Sequence, residues 1–347
     1  MLPLVMLILV WVAALVFALT NGLHDAGAVV ATLIASRAAS PRITVTLSAM
    51  ASLAGAILGG QAVSRAITGL IRIPASDSRL LPILLAAVLG ALTWNFLTWR
   101  LGLPSSSTHA LTGGCVGAGL AFAGPDSIHW LGGLKAADPS LTRSVAGVFI
   151  ALILSPLIGF VVAFFLEKAS KHLLASAHYS LNHWLNRAQM PLMLLLSFGH
   201  GSNDAQKISG ILALAGLASS VSLTISDTWQ LAAVGLAIFF GTLFGSWPII
   251  RTLSRGIFQV RPINGFNAQL AAAGSLLVAT FLGAPVSTSH VVIGSVMGTG
   301  AAVRFKAVNW QVAKGILAAW VVTVPASALV SAGVAGLFRL AWTILAC

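Results

Sequence analysis

The sequence predicts an all-α polytopic membrane protein, built as two inverted-topology repeats of about five membrane segments each, with broken helices and re-entrant hairpin-like segments. Three observations predict it. Of 347 residues, 58% are hydrophobic and only 7% are charged, several times too little charge to cover a soluble surface. Apolar stretches of about 20 residues, the length of a membrane-crossing helix, recur along the chain. The third observation is a duplication. Pro-x-Ser-[Ser/Thr]-[Ser/Thr]-His occurs at 104–109 and again at 285–290, and glycines follow four, eight and ten residues after each histidine: Gly113, Gly117, Gly119 and Gly294, Gly298, Gly300. Upstream, Gly22-Leu-His24-Asp25-Ala26 pairs with Gly201-Ser-Asn203-Asp204-Ala205.

In chain order, residues 1–38 read as one crossing interrupted at Asn21–Asp25. Segments 43–62, 80–100, 104–123 and 144–166 follow. The second unit repeats the series as 190–219, interrupted at 199–204, then 229–248, 264–282, 285–303 and 310–338. An odd number of crossings per unit turns the second copy upside down in the membrane. The predicted divisions are therefore a first repeat over 1–166, a cytoplasmic connector over 167–189 and an inverted second repeat over 190–347. In the connector, Leu173, Leu174, Ala177, Leu181, Trp184 and Leu185 recur at helical spacing opposite Lys171, His172 and Arg187, the pattern of an interfacial amphipathic helix. Residues 2–19 lack a basic leader and run straight into the duplicated motif, so they read as a membrane segment rather than a signal peptide.

The formal charge of +12 does not point to nucleic acid, because the cations sit in short gaps between apolar segments, as in the loops of membrane proteins. With 167–189 inside, the inner gaps hold eleven cations: Arg37, Arg42, Arg100, Lys168, Lys171, Arg187, Arg251, Arg255, Arg261, Arg304 and Lys306. The outer gaps hold six: Arg65, Arg72, Arg79, Lys135, Arg143 and Arg339. This excess places both termini outside a cytoplasmic membrane, with the arginines at 65–79 left unexplained. Cys115 and Cys347 are the only cysteines, which excludes a disulfide framework or a zinc pattern. Nothing implies a cofactor or a resident metal.

Of seven acidic residues, Asp77, Asp126, Asp138, Glu167 and Asp227 fall in gaps or at segment ends, whereas Asp25 and Asp204 lie at equivalent places inside long apolar runs. A charge at membrane depth costs at least about 2.5–3.5 kcal/mol, so its repetition points to function. Helix capping alone would be served by Ser or Thr. The proline-led clusters supply hydroxyls at Ser106, Ser107 and Thr108 and at Ser287, Thr288 and Ser289. Proline fits a helix start, and the next N–H groups point outward with the positive end of the dipole. Two such starts facing each other would hold a tetrahedral oxyanion without an arginine. Small-residue packing accounts for the glycines but not for the repeated order of Pro, hydroxyls and His. His109 and His290 close the clusters, as satisfied packing residues or in direct contact with the substrate. Lys207, one turn past Asp204, is placed to pair with it, attract an anion or snorkel to a surface.

With its motifs Asn21-Gly-Leu-His-Asp25-Ala, Gly201-Ser-Asn-Asp-Ala-Gln-Lys207 and two Pro-x-Ser-x-x-His-x3-Gly segments, the chain resembles, over nearly its whole length, the inorganic phosphate transporters often called PiT, bacterial low-affinity phosphate permeases among them. The resemblance implies a symporter, not an enzyme, often dimeric, with inverted repeats in the cell membrane. It assigns phosphate to Ser106, Ser107, Thr108, Ser287, Thr288 and Ser289, and the coupling cation to Asp25, Asn203 and Asp204, with Asn21, His109, His290 and Lys207 behind them. His24 stands where sodium-driven members carry Asn and resembles the proton-driven permeases. Gly27 and Ala28 replace the Ala-Asn continuation, which argues against a sodium site in the first half. A neutral imidazole is a poor sodium ligand but titrates near pH 6.5 in water, so His24 suits proton coupling. The expected substrate is inorganic phosphate or a metal–phosphate complex. The competing readings are a sulfate permease on the same scaffold, a sodium-coupled phosphate symporter, an intramembrane hydrolase with Ser107 or Thr288 as nucleophile, and a passive anion channel.

Overall fold

The computed structural model describes residues 2–132, 143–219, 228–244 and 247–345. Lys135, Asp138, Asp227 and Cys347 lie outside them. Twelve α-helices are described, and no strand is described beyond one isolated bridge between Ile71 and Ile128. The first half contains α1 (Leu2–Ala35), α2 (Pro41–Leu58), α3 (Ser64–Thr68), α4 (Leu80–Arg100), α5 (Ser107–Ala123) and α6 (Val145–Leu173). The second contains α7 (Leu181–Ala218), α8 (Thr228–Phe244), α9 (Trp247–Gly256), α10 (Pro262–Phe281), α11 (Thr288–Val303) and α12 (Trp310–Leu345). The order is the same in both halves: two helices, one short helix, a helical hairpin, then a long helix with an internal proline, Pro156 or Pro325.

Five of the described helices, α1, α2, α4, α6 and α12, are long and apolar enough to cross a membrane. The outer faces of α6 and α12 present Ile153, Leu157, Phe165, Val321 and Leu329, while nearly every polar side chain of the central segments is buried. This inside-out distribution is that of a multi-pass membrane protein, whose solvent is lipid.

Both hairpins turn through a glycine in the left-handed region, Gly102 at φ 65° and Gly283 at φ 75°, a conformation glycine adopts without steric cost. Two residues later come Pro104 and Pro285, and each inner helix is then capped by a serine: Ser106 Oγ accepts from His109 N at 3.1 Å and Ser287 Oγ from His290 N at 3.4 Å. The hairpin segments expected at 104–123 and 285–303 are thus present.

The two halves are interleaved. The hairpin α4–α5 is covered by α12 from the second half, and the hairpin α10–α11 by α6 from the first; likewise α1 packs on α8, and α2 on α7. The duplicated glycines make this possible. A Cβ on Gly113 or Gly117 would collide with the backbone of Val324 or Ala328 in α12, and one on Gly294 or Gly298 with that of Pro156 or Phe160 in α6. Small residues at these positions let helix backbones approach closely.

Two expectations are corrected. α1 runs unbroken through Asn21–Asp25, and α7 runs unbroken through 199–204. The polar side chains there find partners on neighbouring helices, so neither backbone has to open to satisfy them. Residues 167–189 are not one separate connector helix either: α6 continues to Leu173, a short turn spans 174–180, and α7 begins at Leu181. The apolar periodicity belongs to the ends of two long helices.

The charged ends sort into two groups. Arg37, Arg251 and Arg261 line one cleft of about 1130 Å³, and Lys171, Arg261, Arg304 and Lys306 line a second of about 700 Å³. All six cations come from gaps assigned to the cytoplasm. The outer gaps are tied to each other, Arg72 N donating to Ser127 O at 2.7 Å and His129 N to Leu70 O at 3.0 Å. There Arg79 forms a bidentate pair with Asp77 and, chiefly through its side-chain hydrogen bonds, holds that carboxyl below the usual carboxylate range.

Glu167, read from sequence as a segment-end residue, is fully buried. Its carboxylate accepts from Asn264 Nδ2 and Asn267 Nδ2, both at 2.8 Å, and so bolts α6 to the start of α10. Losing the acceptor strands two buried donors, each costing about 1–3 kcal/mol. Glu167→Ala is therefore expected to lose roughly 2–6 kcal/mol of stability, and Glu167→Gln, which keeps one acceptor oxygen, to lose less. Denaturant unfolding in detergent reads the order; equal stability of all three proteins would contradict it.

Candidate functional site

The site forms where the two proline-led starts meet between α1 and α7. Apolar packing brings these four segments together, and their polar residues have no other place to be satisfied. Ser289 Oγ donates to Ser105 O at 2.9 Å, and Thr108 Oγ1 donates to Val286 O at 3.1 Å. Each half thus bonds the backbone of the other.

Asp25 and Asp204 face this junction, each at most 1% exposed. Asp25 Oδ2 accepts from Ser107 Oγ at 3.0 Å, and Oδ1 lies 3.3 Å from His24 Nδ1. Asp204 Oδ1 accepts from Lys207 Nζ at 2.7 Å; Oδ2 receives Asn21 Nδ2 at 3.5 Å and lies 3.6 Å from His200 Nδ1. Ligand atoms of Asp25, His200 and Asp204 all fall within 4.8 Å of one another, close enough to share one small cation.

His24 Nε2 has three neighbours: Leu103 O at 3.2 Å, Ser105 Oγ at 3.2 Å and Ser105 N at 3.3 Å. Its counterpart Asn203 donates to Ala284 O at 3.2 Å and to Thr280 Oγ1 at 3.0 Å. Leu103 and Ala284 are the residues immediately before the two prolines, so imidazole and carboxamide do the same positioning work in the two halves. Asn203 Oδ1 is buried without a hydrogen-bond partner among the described residues, which leaves it free to face a cation.

The six predicted hydroxyls are all buried and brought together. Ser106 and Ser287 are spent partly on capping, Ser107 faces Asp25, Thr108 faces Lys207, Thr288 lies 3.4 Å from His200 Nδ1, and Ser289 bridges the halves while lying 3.1 Å from Ser287 Oγ. His109 and His290 do not reach the carboxylates. Their rings meet at 4.8 Å, and His290 stacks on Trp320 at 3.6 Å. Trp320 Nε1 in turn donates to Pro104 O at 3.1 Å.

Sequence reasoning missed several partners. Asn95 Nδ2 donates to Asn21 Oδ1 at 2.8 Å, Ser105 flanks His24, and Trp320 buttresses the histidine pair. Asn95, a carboxamide inside an apolar crossing, carried a readable signal; Trp320 carried none.

Comparison with known proteins gives the chain its relatives. The model described as the phosphate transporter family matches residues 21–331. A protein of Bacillus subtilis named a probable low-affinity inorganic phosphate transporter is 37% identical over 95% of this chain and 96% of its own length. One of Rhizobium meliloti with the same name is 40% identical over 92% of each. The solved structure of a sodium-dependent phosphate transporter superposes with a TM-score of 0.83 at 22% identity, covering 97% of this chain and 99% of that one; at that identity the likeness establishes the fold.

Proposed function

The chain belongs to the phosphate transporter family, and on that premise we propose that it imports inorganic phosphate across the cell membrane, coupled to protons that load at His24 and Asp25. The observation that carries this reading is the junction of two capped helix starts from opposite halves, flanked by one buried carboxylate from each. It offers hydroxyls and N–H groups to an oxyanion and places a cation site directly beside it. The duplicated order of elements supports alternating access by an inverted pair of repeats, with the substrate held where they meet.

Phosphate is assigned to Ser106, Ser107, Thr108, Ser287, Thr288 and Ser289, and the cation to Asp25, His24, Asn203 and Asp204. Sulfate would be held by the same donors, but only phosphate presents a P–OH at neutral pH, and Asp25 and Asp204 are the acceptors for it. The surroundings of His24 support a proton as the coupling ion because they suit both of its protonation states. With Nδ1–H donating to Asp25, the bare Nε2 accepts from Ser105 N–H; once protonated, Nε2–H donates to Leu103 O. Protonation also cancels the one negative charge left at a centre that holds Asp25, Asp204 and Lys207, and so prepares it for an anion.

Uptake of labelled phosphate and of labelled sulfate into proteoliposomes, with proton and sodium gradients set separately, tests the reading; sulfate uptake without phosphate uptake would overturn it. The same assay with and without Mg²⁺ separates free phosphate from a metal–phosphate complex. Replacing Ser107 and Thr108 together by Ala, or Thr288 and Ser289 together, is expected to weaken anion binding by about 1.5–3 kcal/mol per hydrogen bond lost to the charged ligand. Unchanged affinity in either pair would remove the shared site. His24→Asn is expected to fold but to lose the dependence of uptake on external pH. An unchanged pH profile, or sodium-driven uptake by the wild type, would exclude His24 as the proton carrier.

A further inference from the structure

Lys207 has no charged counterpart in the other half, where position 28 is alanine. Its side chain is 2% exposed, so it does not snorkel. Its ammonium has three N–H donors and no acceptor, and three oxygens receive them: Thr108 Oγ1 at 2.6 Å, Asp204 Oδ1 at 2.7 Å and Val286 O at 2.8 Å. These oxygens come from three segments: α5, α7 and the stretch that leads into α11. One is a hydroxyl, one a carboxylate and one a backbone carbonyl. No N–H is left to receive an anion, so the geometry does not support a phosphate ligand. A carboxylate, a carbonyl and a hydroxyl converging on one point at hydrogen-bond distance are the ligand types that hard cations take.

We propose that the Lys207 ammonium is a tethered stand-in for a bound monovalent cation: it occupies an oxygen shell built by both halves at Asp204 Oδ1, and so removes the need for a second free cation there. This rests on the transport reading above and deepens it. Asp25 and Asp204 bring two negative charges to the centre. Lys207 cancels one permanently, which leaves a single exchangeable position on the His24–Asp25 side. A chain with a neutral, shorter residue at 207 would keep the oxygen shell but lack its occupant. A small cation from solution would then have to fill it before the two helix starts could close on each other.

The test uses wild type, Lys207→Ala and Lys207→Gln, purified in detergent and also reconstituted. Thermal unfolding midpoints are compared in choline chloride and, at equal ionic strength, in sodium, ammonium or methylammonium chloride. The wild-type midpoint is expected to be the same in all four salts. The Lys207→Ala midpoint is expected to be lower in choline and to rise by several degrees with the small cations. Phosphate uptake by Lys207→Ala should be lost in choline and recover several-fold with sodium or methylammonium, because choline is too large for the shell. A variant that folds only with a small cation present supports the proposal equally. A wild-type midpoint raised by sodium over choline overturns it. So do Lys207 variants that respond to no small cation, variants that fold under no condition, and a variant as active as wild type in choline. The midpoints need no transport, so failure of wild type to take up phosphate would count against the function and not against the tethered cation.

Discussion

Two carboxylates held in an apolar bundle dictate most of what surrounds them. An ion at that depth is tolerated only when charges and hydrogen bonds enclose it. Asp25 therefore collects His24 and Ser107, and Asp204 collects Lys207, Asn21 and His200. The partners come from α1, α5 and α7, so satisfying two side chains fixes where three helices sit. The second layer follows from the first: Asn95 holds Asn21, and Ser105 and Leu103 hold His24. What emerges is a polar knot inside a shell that is otherwise alanine, glycine and branched aliphatic residues.

The knot requires the hairpin starts to approach closely, and the glycine faces permit that approach. α5 lies against α12 backbone to backbone, as α11 lies against α6. Because each covering helix belongs to the other half, packing energy and site geometry are coupled. A shift of α12 moves Trp320, and with it the carbonyl of Pro104 and the ring of His290. The turn at Pro104 therefore answers to a helix on the protein's rim.

Much of this was legible in the sequence for a physical reason: membrane burial makes polar residues expensive, so those that remain stand out. Asp25, Asp204 and the two hydroxyl clusters were visible as exceptions to an apolar background, and their duplication located the junction. Helix continuity was not legible. A run such as Asn21-Gly-Leu-His-Asp25 looks like a break when read alone, because the cross-helix partners that keep α1 intact lie 74 to 183 residues away in the chain. Glu167 was misread for the same reason. Its position at a segment end set it apart from the two central carboxylates, whereas Asn264 and Asn267 draw it inside. Spacing along one helix does not disclose a bond to another.

The exchange of covering helices also bears on how the chain is made. α5 ends at Ala123, and the helix that covers its glycine face begins at Trp310, so roughly 190 residues are synthesised in between. At about 5–20 residues per second that is a wait of roughly 10–40 s. Until then the first hairpin sits in the bilayer with lipid against a face shaped for another helix. The N-terminal half is thus not a finished domain when it leaves the ribosome. Its covering helix is translated only after the whole of the second hairpin, and assembly of the two halves becomes a post-insertional event.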